Sequence, residues 1–222
     1  EHDLIGDKQV PAEALFGVQT LRAIENFDIS NNKLYDYPEI IKGFGIVKKG
    51  AAQANHELGL MTKEVKEAIC KACDELMAGK HLEHFPVDMI QGGAGTSMNM
   101  NANEVIANRA LEIIGKKYGD YKIIHPNDHV NMAQSTNDAY PTAMHLGIYI
   151  IHQDLMESLK NLTISLDKKA KEFASIIKMG RTQLQDAVPM TLGQSFHAFS
   201  TALKSEAKKL DNAAKDFLVI NM

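Results

Sequence analysis

The chain has 222 residues, 45% of them hydrophobic and 23% charged, with a formal net charge of −4. That size suits one or two globular domains, and the charge offers no basic field to nucleic acid or to an anionic membrane surface. No apolar run approaches the ~18 residues of a membrane span, so neither a nucleic-acid nor a membrane partner is expected.

Residues 1–37 carry scattered turn signals and little periodicity, which predicts loops with short strands or helical turns. No signal peptide is visible, and because Glu1 is not an initiator Met a short trimmed start is expected. Pro38 suits the first turn of a helix, and Ile40, Ile41, Phe44, Val47, Ala51, Ala54 and Leu58 continue it at helical spacing until Gly59. Thr62 reads as the N-cap of a second helix that ends at Gly79. Cys70 and Cys73 form a C-x-x-C on its apolar side, beside Val65, Ile69, Ala72 and Leu76. A redox pair belongs at a helix N-terminus, where the thiolate is stabilised. These are therefore expected to be core thiols, suited to a reducing, cytoplasmic compartment. Glu104–Ile114, closed by Gly115, predicts a third helix.

From Asp138 to Ile177 the apolar positions Ile148, Ile151, Leu155, Leu159, Leu162, Leu166, Ala170, Phe173 and Ile177 repeat every eleven residues. A period of about 3.67 predicts a nearly straight helix rather than a left-handed coiled coil. At ~1.5 Å per residue it is roughly 60 Å long, more than a domain of this size spans. Thr191–Gln194 reads as a capping box, opening a second long helix striped by Leu192, Phe196, Phe199, Leu203, Ala207, Leu210, Ala214 and Phe217. The chain stops in the apolar cluster Asp216–Met222 without a C-cap, from which the expectation is a fragment cut inside a helix. The fold class is all-α: an N-terminal domain over 1–134, then the first, truncated part of a helical bundle over 135–222. Two such apolar faces require further helices, from more chain or from other subunits.

Three polar loops punctuate this pattern. Gly92–Glu104 combines glycines with Thr96 and Ser97, a surface able to turn N–H and hydroxyl donors on an anion. No Gly-Lys-Ser/Thr follows, which favours carboxylate over phosphate; taken alone, the stretch also reads as a Gly-rich connector. His125-Pro-Asn127-Asp128-His129 leads to Ser135-Thr136-Asn137-Asp138, where a helix N-terminus would meet a substrate carboxylate. The two histidines lack an obvious third ligand, so no metal site is expected. In Gly180–Thr191, Thr182 and Gln183 occupy the apex, while Arg181 either clamps a carboxylate or, more simply, ties the loop to Asp186.

These motifs carry a resemblance over the whole chain. Gly17–Phe27, Gln91–Ser97, Asn99–Val105, His125–Asn131, Gln134–Asp138 and Gly180–Ala187 resemble the aspartase/class II fumarase superfamily, in particular its aspartate ammonia-lyase branch. Ala94, Gly95, Thr96 and Ser97, together with Thr136 and Gln183, favour that branch over the fumarases.

The resemblance implies a mostly helical N-terminal domain and a central bundle joining a homotetramer, with composite active sites each built from three subunits. It implies reversible deamination of L-aspartate to fumarate and ammonia through an aci-carboxylate. Thr96, Thr182 and Gln183 would hold the β-carboxylate, and Ser135, Thr136 and Asn137 the α-carboxylate and amino group. His125, Asn127 and Asp128 match a second anion site of the fumarases, or else fix the bend before the long helix. The family's base is a serine of a Gly-Ser-Ser loop followed by a substrate-binding Lys. That motif is absent from the sequence, so the base is expected beyond Met222 and the chain alone is expected to be inactive. No cofactor is expected, and activation by Mg2+ leaves no sequence signature. A fumarate hydratase and a non-catalytic helical assembly module are the alternatives.

Overall fold

The computed structural model describes residues 1–221. Its fold is all-α apart from two small hairpins, and it divides into two compact units. The first comprises Glu1–Ile148 with Ile220 and Asn221; the second is Tyr149–Val219. Among the described residues, no helix is long and apolar enough to cross a membrane.

In the first unit, β1 (His2–Asp3) and β2 (Gly6–Asp7) pair as a minimal hairpin. Four helices follow: α1 (Val18–Asn26), α2 (Pro38–Glu57), α3 (Lys63–Met77) and α4 (Thr96–Ile113). A π-helical turn, Pro126–Val130, precedes α5 (Thr136–Glu172). The boundaries of α2 and α3 follow the turn chemistry. Pro38 starts α2, the Thr62 hydroxyl accepts from the Val65 N–H, and Gly59 and Gly79 close their helices at positive φ. Phe44, Ile41, Ile69, Leu76, Met98 and Ile106 fill the core between these helices. Cys73 is fully buried and burial pushes its thiol pKa up, so it behaves as a small apolar side chain.

Several expectations need correction. Residues 18–26 form a regular helix, α1, rather than loops or isolated turns. The N–H groups of Gly17, Gln19 and Thr20 all donate to the buried Glu104 carboxylate, so the side chain that anchors the start of α1 comes from α4. On α2 the buried face turns away from Ala54 and Leu58 and runs instead through Ile41, Phe44, Lys48, Ala52 and Asn55. Helix α4 starts at Thr96, eight residues before the expected Glu104, so most of the predicted polar loop is helix. Asn is a weak helix former, but Asn99, Asn101 and Asn103 are buried there, and Asn99 and Asn101 bond across to Asn131 and to the His84 carbonyl.

In the second unit, the later part of α5 is followed by β3 (Ile177–Thr182), β4 (Gln185–Thr191) and α6 (Leu192–Ala214). The polar connector is thus an antiparallel hairpin, paired Ile177 to Thr191 and Thr182 to Gln185. The Thr191–Gln194 capping box forms as expected. Gly193 allows α6 to pass α5 closely: a Cβ there would lie 2.4 Å from the Ala170 carbonyl oxygen. Phe173 meets Phe196 edge-to-face at 5.4 Å, and Asp167 accepts from Ser200 and Lys204. Instead of continuing through Phe217, α6 gives way to a 3-10 turn at Lys215–Leu218.

Candidate functional site

The first polar cluster is built at the start of α4. Gly95 caps this helix without a side chain, at φ +85, and a Cβ on it would lie 2.1 Å from the Tyr140 ring. Both the backbone conformation and the close approach require glycine. The Gly-rich turn is thereby pressed onto the first turns of α5, with Thr96 exposed beside it. The Gln91 side-chain oxygen accepts from Met98 N–H at 3.0 Å, satisfying one donor of the helix end.

The second cluster opens α5. Ser135 acts as its cap: its hydroxyl accepts from Asn137 N–H at 3.2 Å, and its own N–H donates to the Asp138 carboxylate at 2.9 Å. Ser135 and Asn137 remain exposed, and Thr136 is half-buried. Asn99 of α4 donates toward the Thr136 hydroxyl at 3.5 Å, which brings the Thr96 and Ser135–Asn137 clusters into one neighbourhood. Capping and ligand binding are compatible here, since a helix start has more N–H groups than one cap can satisfy.

Behind these exposed donors lies a residue that the sequence reading missed. Lys48 is fully buried, and its Nζ donates to Asn99 Oδ1 at 2.8 Å, Asn131 Oδ1 at 2.7 Å and Gln134 Oε1 at 3.2 Å. Burial pulls its pKa down to about 7. The available signal was a lysine at the helical spacing of Ile41 and Phe44. Glu104 was likewise overlooked. Burial raises its carboxyl pKa, against the pull of its bonds to the Thr20 hydroxyl and three backbone N–H groups.

His125, Asn127 and Asp128 meet at the π-helical turn. His125 Nδ1 accepts from the N–H of Asn127 at 3.1 Å and of Asp128 at 3.2 Å, so it caps this turn and fixes the bend. With Tyr121 and Glu104, His125 and Asn127 line a cavity of about 650 Å³.

Thr182 and Gln183 belong to the second unit, at the tip of its hairpin. The two-residue turn Gln183–Leu184 has φ +50 and +62. Type I′ turns normally take Asn or Gly at such positions, and strained backbone of this kind gathers at functional sites. Thr182, Gln183 and Leu184 are all exposed. Arg181 pairs with Asp186 across the strands at 3.4 Å, the tying role expected for it.

A helical scaffold that presents neutral donors at helix starts suits stabilisation of developing carboxylate charge, as in lyase chemistry. A model of the lyase family matches residues 6–222, and the chain belongs to that family. It is 54% identical to the aspartate ammonia-lyase of Escherichia coli (strain K12), over 100% of this chain and 47% of that protein. Identity to the aspartate ammonia-lyase of Helicobacter pylori (strain J99) is 55%, over 96% of this chain and 46% of the relative. The crystal structure of a fumarate lyase:delta crystallin from Brucella melitensis superposes with a TM-score of 0.97 at 49% identity, covering 100% of this chain and 50% of that one. A class II fumarase from Schistosoma mansoni gives 0.89 at 36% identity, covering 99% of this chain and 46% of its own. The chain spans about half the length of the curated relatives it matches.

Proposed function

We propose that the full-length protein is an aspartate ammonia-lyase that interconverts L-aspartate with fumarate and ammonia. The observation that carries this reading is the neutral donor set on rigid helix starts, in a chain 54% identical to an enzyme of that name. Removing the C3 proton leaves a doubly negative aci-carboxylate, so the barrier falls only if donors meet that charge as it forms. Thr96, Thr182 and Gln183 are assigned to the β-carboxylate. Ser135, Thr136 and Asn137 are assigned to the α-carboxylate and amino group, where the α5 N-terminus adds its positive end. Neutral donors favour the dianion without holding the fumarate product as tightly as a row of lysines would.

The proton-abstracting serine is assigned to the part of the protein outside these 222 residues, so the chain by itself is proposed to be inactive. A homotetramer with composite active sites, in the cytoplasm, completes the proposal. The exposed apolar residues Leu155, Leu162, Phe199 and Leu210 support the assembly. No cofactor is proposed.

The test is to give the full-length protein L-aspartate and, separately, L-malate, and to follow fumarate by ultraviolet absorbance. Fumarate from aspartate alone is the expected result. Fumarate from malate alone would make the protein a hydratase and overturn the assignment.

A further inference from the structure

An ammonium ion has three N–H donors and no acceptor, and Lys48 meets three amide oxygens, so its donor capacity is filled. Each amide is thereby oriented. With its oxygen on Lys48, Asn99 turns its NH₂ toward Asn131 Oδ1 and the Thr136 hydroxyl. Asn131 donates to the Gln134 carbonyl, and Gln134 to the carbonyls of Val130 and Met132. One buried cation thus ties the first turn of α4 to the segment that delivers Ser135–Asn137.

Its location is held by close packing. Cβ atoms on Gly43 and Gly147 would lie 2.2 Å from the Ala143 carbonyl oxygen and 2.9 Å from Ile40 Cα, so α2 and the first turns of α5 touch along their backbones. The charge is uncompensated by any carboxylate bonded to Nζ among the described residues. The titratable group facing it is the buried Cys73 thiol of α3; α4 and the 126–134 segment present amides, and α5 reaches it through Thr136 and Asn99. The neighbouring Lys49 pairs elsewhere, with Asp74.

We propose that Lys48 is the positioning residue of the anion site at the start of α5, fixing its donors and supplying the buried positive charge that a bound dicarboxylate balances. The proposal rests on the ammonia-lyase reading. Since burial lowers the Lys48 pKa to about 7, an arriving dianion restores the lost proton, and binding takes up protons above neutrality.

The test is calorimetry on the full-length protein with succinate, an unreactive four-carbon dicarboxylate, in buffers of different ionisation enthalpy. Wild type should take up a fraction of a proton at about pH 8 and much less at about pH 6, where Lys48 is already charged. Lys48→Met should abolish the uptake and weaken succinate about tenfold or more. Lys48→Arg, charged at every pH, should bind without uptake and with affinity closer to wild type. Fumarate production from aspartate is assayed on the same preparation. Its absence would overturn the ammonia-lyase reading itself. Fumarate production together with no succinate binding, or with wild-type binding free of proton uptake, would overturn the role of Lys48 alone. The wild-type measurement stands even if the Met variant fails to fold.

Discussion

The two units solve opposite problems. The first buries its large apolar side chains and then buries polar ones as well: Lys48, Asn99, Asn101, Asn103 and Glu104 are all nearly inaccessible. The second leaves Ile151, Leu155, Leu162, Phe199 and Leu210 open to solvent along two long helices and buries few of its polar side chains. Buried polar residues that find their partners specify one arrangement of loops and caps. Exposed apolar stripes specify partners. One unit is thus built to hold a geometry; the other carries the apolar faces on which the proposed homotetramer rests.

The largest effect should come from the closest packing in the first unit. Gly95→Ala forces a methyl into the Tyr140 ring at a positive φ. It should cost about 3 kcal/mol and displace Thr96, read by thermal unfolding and by loss of activity in the full-length protein. Next comes the exposed apolar face of the second unit, proposed to carry the homotetramer. Leu155→Glu with Phe199→Glu should break assembly into smaller species by light scattering while the helical circular dichroism is retained. If the assembly survives, the exposed stripes are not its interface.

A further effect concerns pH. Lys48 in the folded state titrates near about 7, well below an unfolded lysine. Above that pH the folded protein gives up a proton that the unfolded chain keeps, so its contribution to stability should rise with pH from about 7 to about 10. Lys48→Met should remove that rise, as measured by denaturant unfolding across the range. The smallest effects concern His125: His125→Ala removes the acceptor for two N–H groups and should cost about 1 kcal/mol. His125→Asn should cost less, because Asn also caps well.

Apolar periodicity and turn residues were sufficient for α2, α3, most of the long α5 and the capped start of α6, but the stripe through Phe173 and Ile177 overran α5, which ends at Glu172, and Ile177 opens β3 instead. They failed where polar residues occupy core positions. Lys48 and Asn55 hide the true buried face of α2, and Asn99 and Asn101 of α4 imitate a loop until Lys48, Asn131 and His84 supply their partners. The hairpin escaped detection because Gln183–Leu184 is a turn without turn chemistry and Pro189 argues against a strand. Of the candidate site, the exposed donors were legible as motifs. The buried groups that aim them were not, because tertiary contacts define their roles.

The measurement that bears most directly on the central claim is steady-state kinetics of Thr182→Val in the full-length protein with L-aspartate. If neutral donors act on the charge that develops in the aci-carboxylate, kcat and kcat/KM should fall together by about 10²–10³ with KM little changed. A raised KM with kcat intact would mean that Thr182 binds ground state and transition state alike, contradicting the account.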